Sequence, residues 1–559
     1  MTHLPSFKPF FPHGEKPVMG SVPPRPKPDR LVHQPVMAVR ACAIQLAVWF
    51  ALSAGMTAAD ESQPEPNPDF PATEVRFGWL RHEHQHPDQP SPRPRPKHDK
   101  LIRNNFDSLR LAIQDLTKSF GAKYPKGGAY LKRLAEIEKA VLETQAPLAP
   151  LAATFDTLLK EALLANPLID FDSLMFIDRQ GSLSPSAWLN LACMKPAGHD
   201  NAVKVLSPVS PDGKVTTLFT PPNKAAVARM DLHFDGNKLL YSTNGKTPPD
   251  CWGAWQISEV DLPPRLDPAT GQPVTREIET IPDKDVENFD ACYGQDGSIY
   301  FTSTATQLGV PCIGGGAPIA QLYRKKPDGA VERLTVDQDH NWHPSLLPNG
   351  RIMYLRWDYT DTPHCFNRVI FSMNPDGTDQ AAMYGSNSYW PNSTFYPKAV
   401  PGSSTKFVGV VSGHHDWGQI GHLILFDTTQ GRFEADGVVQ QIPGYGRKVM
   451  PVMQDGLIGG LYPLFVTPYP LSDKYFIAGM KTNHPEKWGT DIYLVDVFDN
   501  ALKLYGVPGR WMIEPIPLRK RPRPPVIPDR TIKDANTATV VMSDVHAGDG
   551  LKDVPRGKV

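Results

Sequence analysis

The feature that most limits what this chain can become is a turn that keeps returning. Asp235-Gly236 precedes the apolar run Leu239-Leu240-Tyr241, Asp296-Gly297 precedes Ile299-Tyr300-Phe301, and Asn349-Gly350 precedes Ile352-Met353-Tyr354. Looser copies are Ser404-Thr405 before Phe407-Val408-Gly409 and Ser472-Asp473 before Tyr475-Phe476-Ile477. Glycine accepts a positive φ without a Cβ clash, so Asp-Gly and Asn-Gly suit tight hairpins. Pro211-Asp212-Gly213, Pro327-Asp328-Gly329 and Pro375-Asp376-Gly377 add a second set of turns. The first two intervals are 61 residues (235 to 296) and 53 residues (296 to 349). A repeat of that length with several strands matches a propeller blade. One such sheet cannot bury both faces alone, so blades must stack in a ring. Five units are clear, and Asp491-Ile492-Tyr493-Leu494-Val495-Asp496 marks a sixth. The expected fold is mainly β: a six-bladed β-propeller, with seven blades the alternative, preceded by a small α-helical segment. Residues 202–209 are expected to close the ring by joining the last blade. A stacked β-sandwich pair explains the periodicity less well.

The chain divides around that repeat. Residues 1–59 form a leader. Arg40 begins a signal-like stretch, 41–54 is its apolar core, and Thr57-Ala58-Ala59 fits cleavage before Asp60. The apolar core is short for a membrane helix, with an uncleaved anchor as the alternative. The Pro-rich 1–36 sit awkwardly before a signal, which points to Met37 as the start. Residues 60–100 are a Pro-rich linker; His82, His84 and His86 there read as a solvated tract rather than a metal site. In 101–168, Ile102, Phe106, Leu109, Ile113, Leu116 and Phe120 recur at three- and four-residue steps, the spacing of one helix face. Two further helices follow, giving a small bundle that packs or caps. The propeller is placed at 169–528, and 529–559 reads as a linker into a further C-terminal domain.

With 58 basic against 59 acidic residues, no global field would attract nucleic acid or an anionic membrane. The chain shows no Gly-x-Ser-x-Gly elbow, phosphate loop or dinucleotide fingerprint. Its expected place is exported, periplasmic or extracytoplasmic, with membrane association only if the signal is uncleaved.

Several strings resemble the hydrazine synthase alpha-subunit middle-domain family, within the broader TolB-like propellers. They include Asn288-Phe289-Asp290-Ala291-Cys292-Tyr293, Gly309-Val310-Pro311-Cys312, Asp337-Gln338-Asp339-His340-Asn341-Trp342 and Tyr384-Gly385-Ser386-Asn387-Ser388. Gly413-His414-His415, Glu434-Ala435-Asp436-Gly437 and the tail Glu514-Pro515-Ile516-Pro517 belong with them, and the likeness runs from about Leu163 onward. It implies a propeller that serves as a binding or scaffold module and, in complete relatives, accompanies a c-type haem domain. Haem attachment needs Cys-x-x-Cys-His. The cysteines stand at 42, 193, 251, 292, 312 and 365, and no two are three apart. The chain ends about where the haem domain of longer relatives would begin, so a redox subunit lacking its haem domain is a further alternative.

The histidines form the most suggestive constellation. His340, His364, His414 and His415 sit near strand ends in successive units, with Asp290, Asp339 and Asp361 nearby in sequence. Imidazoles with a carboxylate suit zinc or another divalent transition metal. That reading makes the chain a metal-dependent enzyme of polysaccharide-lyase type, working at the propeller axis. The plainer reading is that these side chains fix loops and blade contacts. Convergence at the channel would also suit a small-molecule ligand or a protein partner. Cys292 and Cys312 flank one strand and its return, and a disulfide between them fits an exported protein. Trp342, Trp357 and Trp390 read as inter-blade packing, and the basic run 519–523 as solvated linker.

Overall fold

The computed structural model describes residues 99–144, 148–181, 189–194, 198–244, 255–311, 314–358, 367–386, 388–444, 448–449, 456–458, 462–482, 489–532 and short pieces beyond. The leader, most of the Pro-rich linker and its histidines lie outside these residues. Among the described helices, none is long and apolar enough to cross a membrane.

The helical segment forms as its spacing requires. Helices α1 (Asp99–Phe120), α2 (Gly127–Glu143) and α3 (Ala149–Leu164) follow one another. Phe106, Leu109, Ile113 and Leu116 of α1 are buried against Leu134, Phe155 and Leu158. Gly127 opens α2 where a Cβ would lie 2.1 Å from Thr117 Oγ1, so the close approach of α1 and α2 requires glycine there.

Beyond Phe171 the described residues form twenty-four strands that pair as four four-stranded sheets and one eight-stranded sheet, the last made of two four-stranded antiparallel units. They run β4 (Val227–Leu232) to β7 (Thr275–Glu277), β8 (Asn288–Tyr293) to β11 (Val331–Arg333), and β12 (Asn341–Leu346) to β15 (Ala381–Tyr384). Next come β16 (Ser393–Ala399) to β19 (Val438–Ile442) and β20 (Leu464–Pro470) to β23 (Ala501–Tyr505). The remaining unit has the order β24-β1-β2-β3, joining β24 (Arg510–Pro517) to β1 (Leu174–Gln180), β2 (Asp200–Ser207) and β3 (Lys214–Phe219). A parallel bridge from Arg368 to Ser393 links the third and fourth of the units just named. The strands β4, β8, β12, β16, β20 and β24 touch in that order, and β24 also touches β4. They are the inner strands of a propeller. The closing partner of the last strand is β1. The strand near 202–209 lies one place further out, because β1 supplies the longer apolar run, Leu174 to Ile177, for the seam.

The two families of turn have separate places. Asp235-Gly236, Asp296-Gly297 and Asn349-Gly350 link inner strands to their second strands. The Pro-Asp-Gly turns link third strands to fourth strands. In an alternating antiparallel unit both sets fall at the same end. The second-to-third connections and the blade-to-blade connections gather at the opposite end. The three predicted tryptophans are buried, Trp342 against the inner strands and Trp390 against Phe426.

The helices bury their apolar faces on the seam. Their core is continuous with Phe176 and Leu206 of the first sheet and with Ile477, Leu494 and Leu502 of the last. Polar bonds fix the same contact: Asn500 Nδ2 donates to the Ser108 carbonyl at 2.9 Å, and Tyr475 donates to Asp115 at 3.0 Å.

After β24 the chain continues as a strap across the turn-bearing end. Arg521 donates to both oxygens of Asp231, at 2.9 and 2.8 Å, and stacks on Phe234. Arg523 pairs with Asp235. Asp529 meets Arg324 at 2.7 Å and Lys326 at 3.1 Å. Within the run 519–523, Lys520, Pro522 and Arg523 are exposed, as the solvated-linker reading expects, while Arg521 is held against Asp231 and Phe234. Acidic groups on the turn-bearing end supply its partners.

Candidate functional site

Each inner strand breaks register once. The shifts fall between Ala228 and Asp231, Phe289 and Cys292, Trp342 and Ser345, Phe395 and Lys398, and Val466 and Tyr469; β24 has its own across from Met175 and Ile177. At each break one residue takes a positive φ: Arg229 (56°), Asp290 (57°), His343 (54°), Tyr396 (50°), Thr467 (47°) and Glu514 (55°). A bulge leaves one residue unpaired and turns its side chain aside. Proline follows at 344, 397, 468 and 515. A residue without an N–H loses nothing where the ladder is already interrupted.

Successive blades thus contribute one polar residue each to the inner wall, and the six are joined by direct contacts at five of their six neighbour junctions. Glu514 accepts the backbone N–H groups of Arg229 (2.8 Å) and Met230 (2.6 Å), while its own N–H donates to Thr467 Oγ1 at 2.7 Å. Arg229 lies 3.9 Å from Asp290 and stacks on Tyr396. Asp290 accepts the His343 N–H at 2.7 Å and faces His343 Nδ1 at 3.2 Å. The His343 ring packs 4.8 Å from Tyr396. From the connection between β17 (Lys406–Ser412) and β18 (His422–Asp427), Gln419 Oε1 accepts from Arg229 Nη2 at 2.7 Å and from the Tyr396 hydroxyl at 3.2 Å.

The electrostatics follow from this packing. Burial opposes ionisation of Asp290, but His343 and Arg229 outweigh it and hold the carboxyl below its usual range. Burial, reinforced by the Arg229 charge, pushes His343 down to about 4, so its ring is neutral near pH 7. Arg179, buried on β1, is pushed down to about 10 by burial, with Glu514 opposing.

A second cluster lies at the connection-bearing end. His340 stacks between Trp342 (4.6 Å) and Trp357 (5.6 Å), and its Nδ1 accepts the Ala320 N–H at 3.1 Å. Arg368 sits 4.4 Å from the Trp357 ring centre, and its Nη1 lies 2.7 Å from His414 Nδ1. Burial drives the His340 pKa well below normal, with Arg368 adding to it. Burial raises Asp339 to about 6.

The structure therefore sorts the predicted residues. His340 and His414 share one aromatic cluster, with a guanidinium between them rather than a carboxylate. His415 is exposed and meets His414 edge-on. Asp290 belongs to the ring, facing His343. His364, Asp361 and Cys312 lie outside the described residues. Among the described residues, no group of three or more His, Cys, Asp or Glu side chains is placed to hold a metal ion. Cys292 is a buried free thiol, and Cys193 is a half-buried free thiol that burial pushes up to about 12.

Arg229, His343, Tyr396 and Thr467 fall in none of the sequence strings singled out above, and Glu514 stands there only as the first residue of the tail Glu514-Pro515-Ile516-Pro517. A signal does exist: an apolar residue, a polar residue, then proline, at Trp342-His343-Pro344, Phe395-Tyr396-Pro397, Val466-Thr467-Pro468 and Ile513-Glu514-Pro515.

No protein-family profile matches the chain, and no curated protein matches it. Solved structures give distant, fold-level likenesses. Hydrazine synthase of Kuenenia stuttgartiensis is 15% identical with a TM-score of 0.47, over 65% of this chain and 49% of that one. Puromycin hydrolase is 13% identical with a TM-score of 0.33, over 60% of this chain and 45% of that one. The calcium-binding protein regucalcin from Agrobacterium tumefaciens is 12% identical with a TM-score of 0.29, over 55% of this chain and 86% of that one. The chain spans about half the length of the first two.

Proposed function

We propose that this chain is an exported propeller that acts as a binding scaffold for a small ligand or a protein partner. The observation that carries this is the mutual engagement of the axial side chains. Glu514 is occupied by two backbone N–H groups of the next blade, and Asp290 by His343 and Arg229. Such a ring fixes the blades relative to one another and makes a rigid platform, the usual basis for sites carried on loops. The resemblance to the hydrazine synthase alpha-subunit family makes a haem-bearing domain or subunit the concrete form of the partner.

The test is elemental analysis of the mature protein, purified from residue 60 onward, beside a haem absorbance scan. The expected result is protein without stoichiometric metal or haem that still captures its partner. A stoichiometric metal lost on His364→Ala would overturn the scaffold reading in favour of a metal-dependent enzyme.

A further inference from the structure

We infer that two neighbouring turns at the turn-bearing end form a docking surface for an acidic peptide of a partner protein, and that the strap's own Asp529, Arg530 and Thr531 occupy it as a resident competitor. The inference goes beyond the scaffold reading and stands on separate residues, so either can fail alone.

The surface has two anchors. One is the hairpin of β10 (Gln321–Lys325) and β11, where Arg324 Nη1 and Nη2 donate to the two carboxylate oxygens of Asp529 at 2.7 and 2.8 Å. Lys326 Nζ lies 3.1 Å from the second of these oxygens. The other anchor is the turn between β14 (Asn367–Met373) and β15, where Asp376 Oδ2 accepts the N–H of Arg530 and, at 3.0 Å, that of Thr531. Leu334 joins the anchors. Its carbonyl accepts from Gln380 Nε2 at 2.9 Å and lies 3.0 Å from where a Cβ on Gly377 would stand.

The receiving side is built, and the inserted side is loosely attached. Arg324 keeps 2% side-chain exposure against 38% for Asp529, and Asp376 is buried. Glu332 holds Arg324 Nη2 at 2.7 Å and Lys326 Nζ at 2.6 Å. The Thr378 N–H and hydroxyl occupy Asp376 Oδ1 at 3.1 and 2.6 Å. None of these bonds involves the strap. From Pro525 to Ile532, every strap residue except Ile527 is exposed. Its hold here is a few polar bonds and its tether to β24, and a segment held in this way opens at small cost.

The chemistry of the anchors defines the guest. Arg324 and Lys326 against Glu332 leave one positive charge, which suits a carboxylate. Asp376 has one oxygen satisfied within its own turn and offers the other to N–H donors. The surface therefore reads an aspartate followed by two residues with free N–H groups, and proline at either following position would lack the donor. The paired guanidinium–carboxylate contact supplies both charge and geometry, so the aspartate dominates recognition.

The test is fluorescence anisotropy on the full chain, with a fluorescein-labelled peptide copying residues 523–532. Asp529→Asn weakens the resident competitor and leaves Arg324, Lys326 and Asp376 in place. The peptide should bind this variant about tenfold more tightly than the wild type, the effect of losing hydrogen bonds to a charged group. The same peptide with asparagine in place of its aspartate should bind the variant about tenfold more weakly. A second measurement needs no variant: excess unlabelled peptide should speed amide hydrogen exchange at Arg530 and Thr531 in isotope-labelled wild type. Equal affinity for variant and wild type, equal binding of the asparagine peptide, or unchanged exchange at 530 and 531 would each overturn the proposal. So would a doubled molecular mass of the wild type that Asp529→Asn returns to monomer, since the guest would then be the strap of a second copy.

Discussion

Six side chains of six kinds occupy one backbone position, and the shared element is a positive φ. Each non-glycine residue held there costs about 1–3 kcal/mol, so the surroundings must over-determine it. Glu514 shows how. Its carboxylate ties two N–H groups of the next blade and faces the guanidinium groups of Arg179 and Arg229. Glu514→Gln should lower stability by about 3 kcal/mol, as expected when a buried charge loses its counter-charge. Thr467→Val, which removes one acceptor, should cost about 1 kcal/mol. Equilibrium urea unfolding measures both, and equal losses would mean that the charge contributes nothing. Glu287 gives a pH signature. Burial lifts its carboxyl from 4.5 to about 8, with the Trp255 N–H opposing. Between those values the folded state holds a proton that the unfolded state has released, so this contribution is full below 4.5 and is lost as pH rises through about 8. Glu287→Gln lacks that loss. Melting curves at pH 5 and pH 8.5 should show the variant gaining on the wild type at the higher pH.

At the scale of elements, the strap is the piece that composition hides most completely. Arginine and proline in alternation read as solvated chain, because the acids that hold them stand far away in sequence, at Asp231 and Asp235. The blades were legible for the opposite reason: Asp-Gly and Asn-Gly announce a backbone conformation locally. The bulge ring lies between these cases. Its conformation is local, but Arg, Asp, His, Tyr, Thr and Glu share no side-chain chemistry, so only a following proline marks it, and only at four of the six positions. His340 and Asp290 were visible as polar residues near strand ends, yet nothing in their spacing tells that Asp290 faces His343 and that His340 lies between two indoles. Two substitutions test the strap. Gly350 has φ 88°, and a Cβ there would lie 2.3 Å from the Pro525 carbonyl oxygen. Gly350→Ala should free the strap, seen as faster hydrogen exchange over 518–531 with the inner strands unchanged. Arg521→Ala should cost about 2 kcal/mol, the range for hydrogen bonds to a charged group.

Over the whole molecule, stability concentrates where the ring is joined. The helical segment, β1 and β24 meet in one apolar core, and Phe155 and Leu158 of α3 are buried within it. Phe155→Ala should cost about 3–5 kcal/mol. Hydrogen exchange should show the loss first in β20–β24 and β1, and a uniform loss around the ring would contradict this placement of the seam.

The pairing of β24 with β1 also sets a timetable. A chain emerging from its N-terminus presents β1 and the greasy side of α1–α3 early, while the strands that complete them lie some three hundred residues later, at 464–517. Until the last of these arrives, β1 has an open edge and the helices have no floor. An unpaired edge invites other chains, and contacts this distant in sequence form slowly. The protein therefore has a long adolescence, in which five blades can mature while the first stands unfinished. A cell that makes it must shelter that interval, and mutations that delay the final strand would show themselves as lost yield before they show themselves as lost binding.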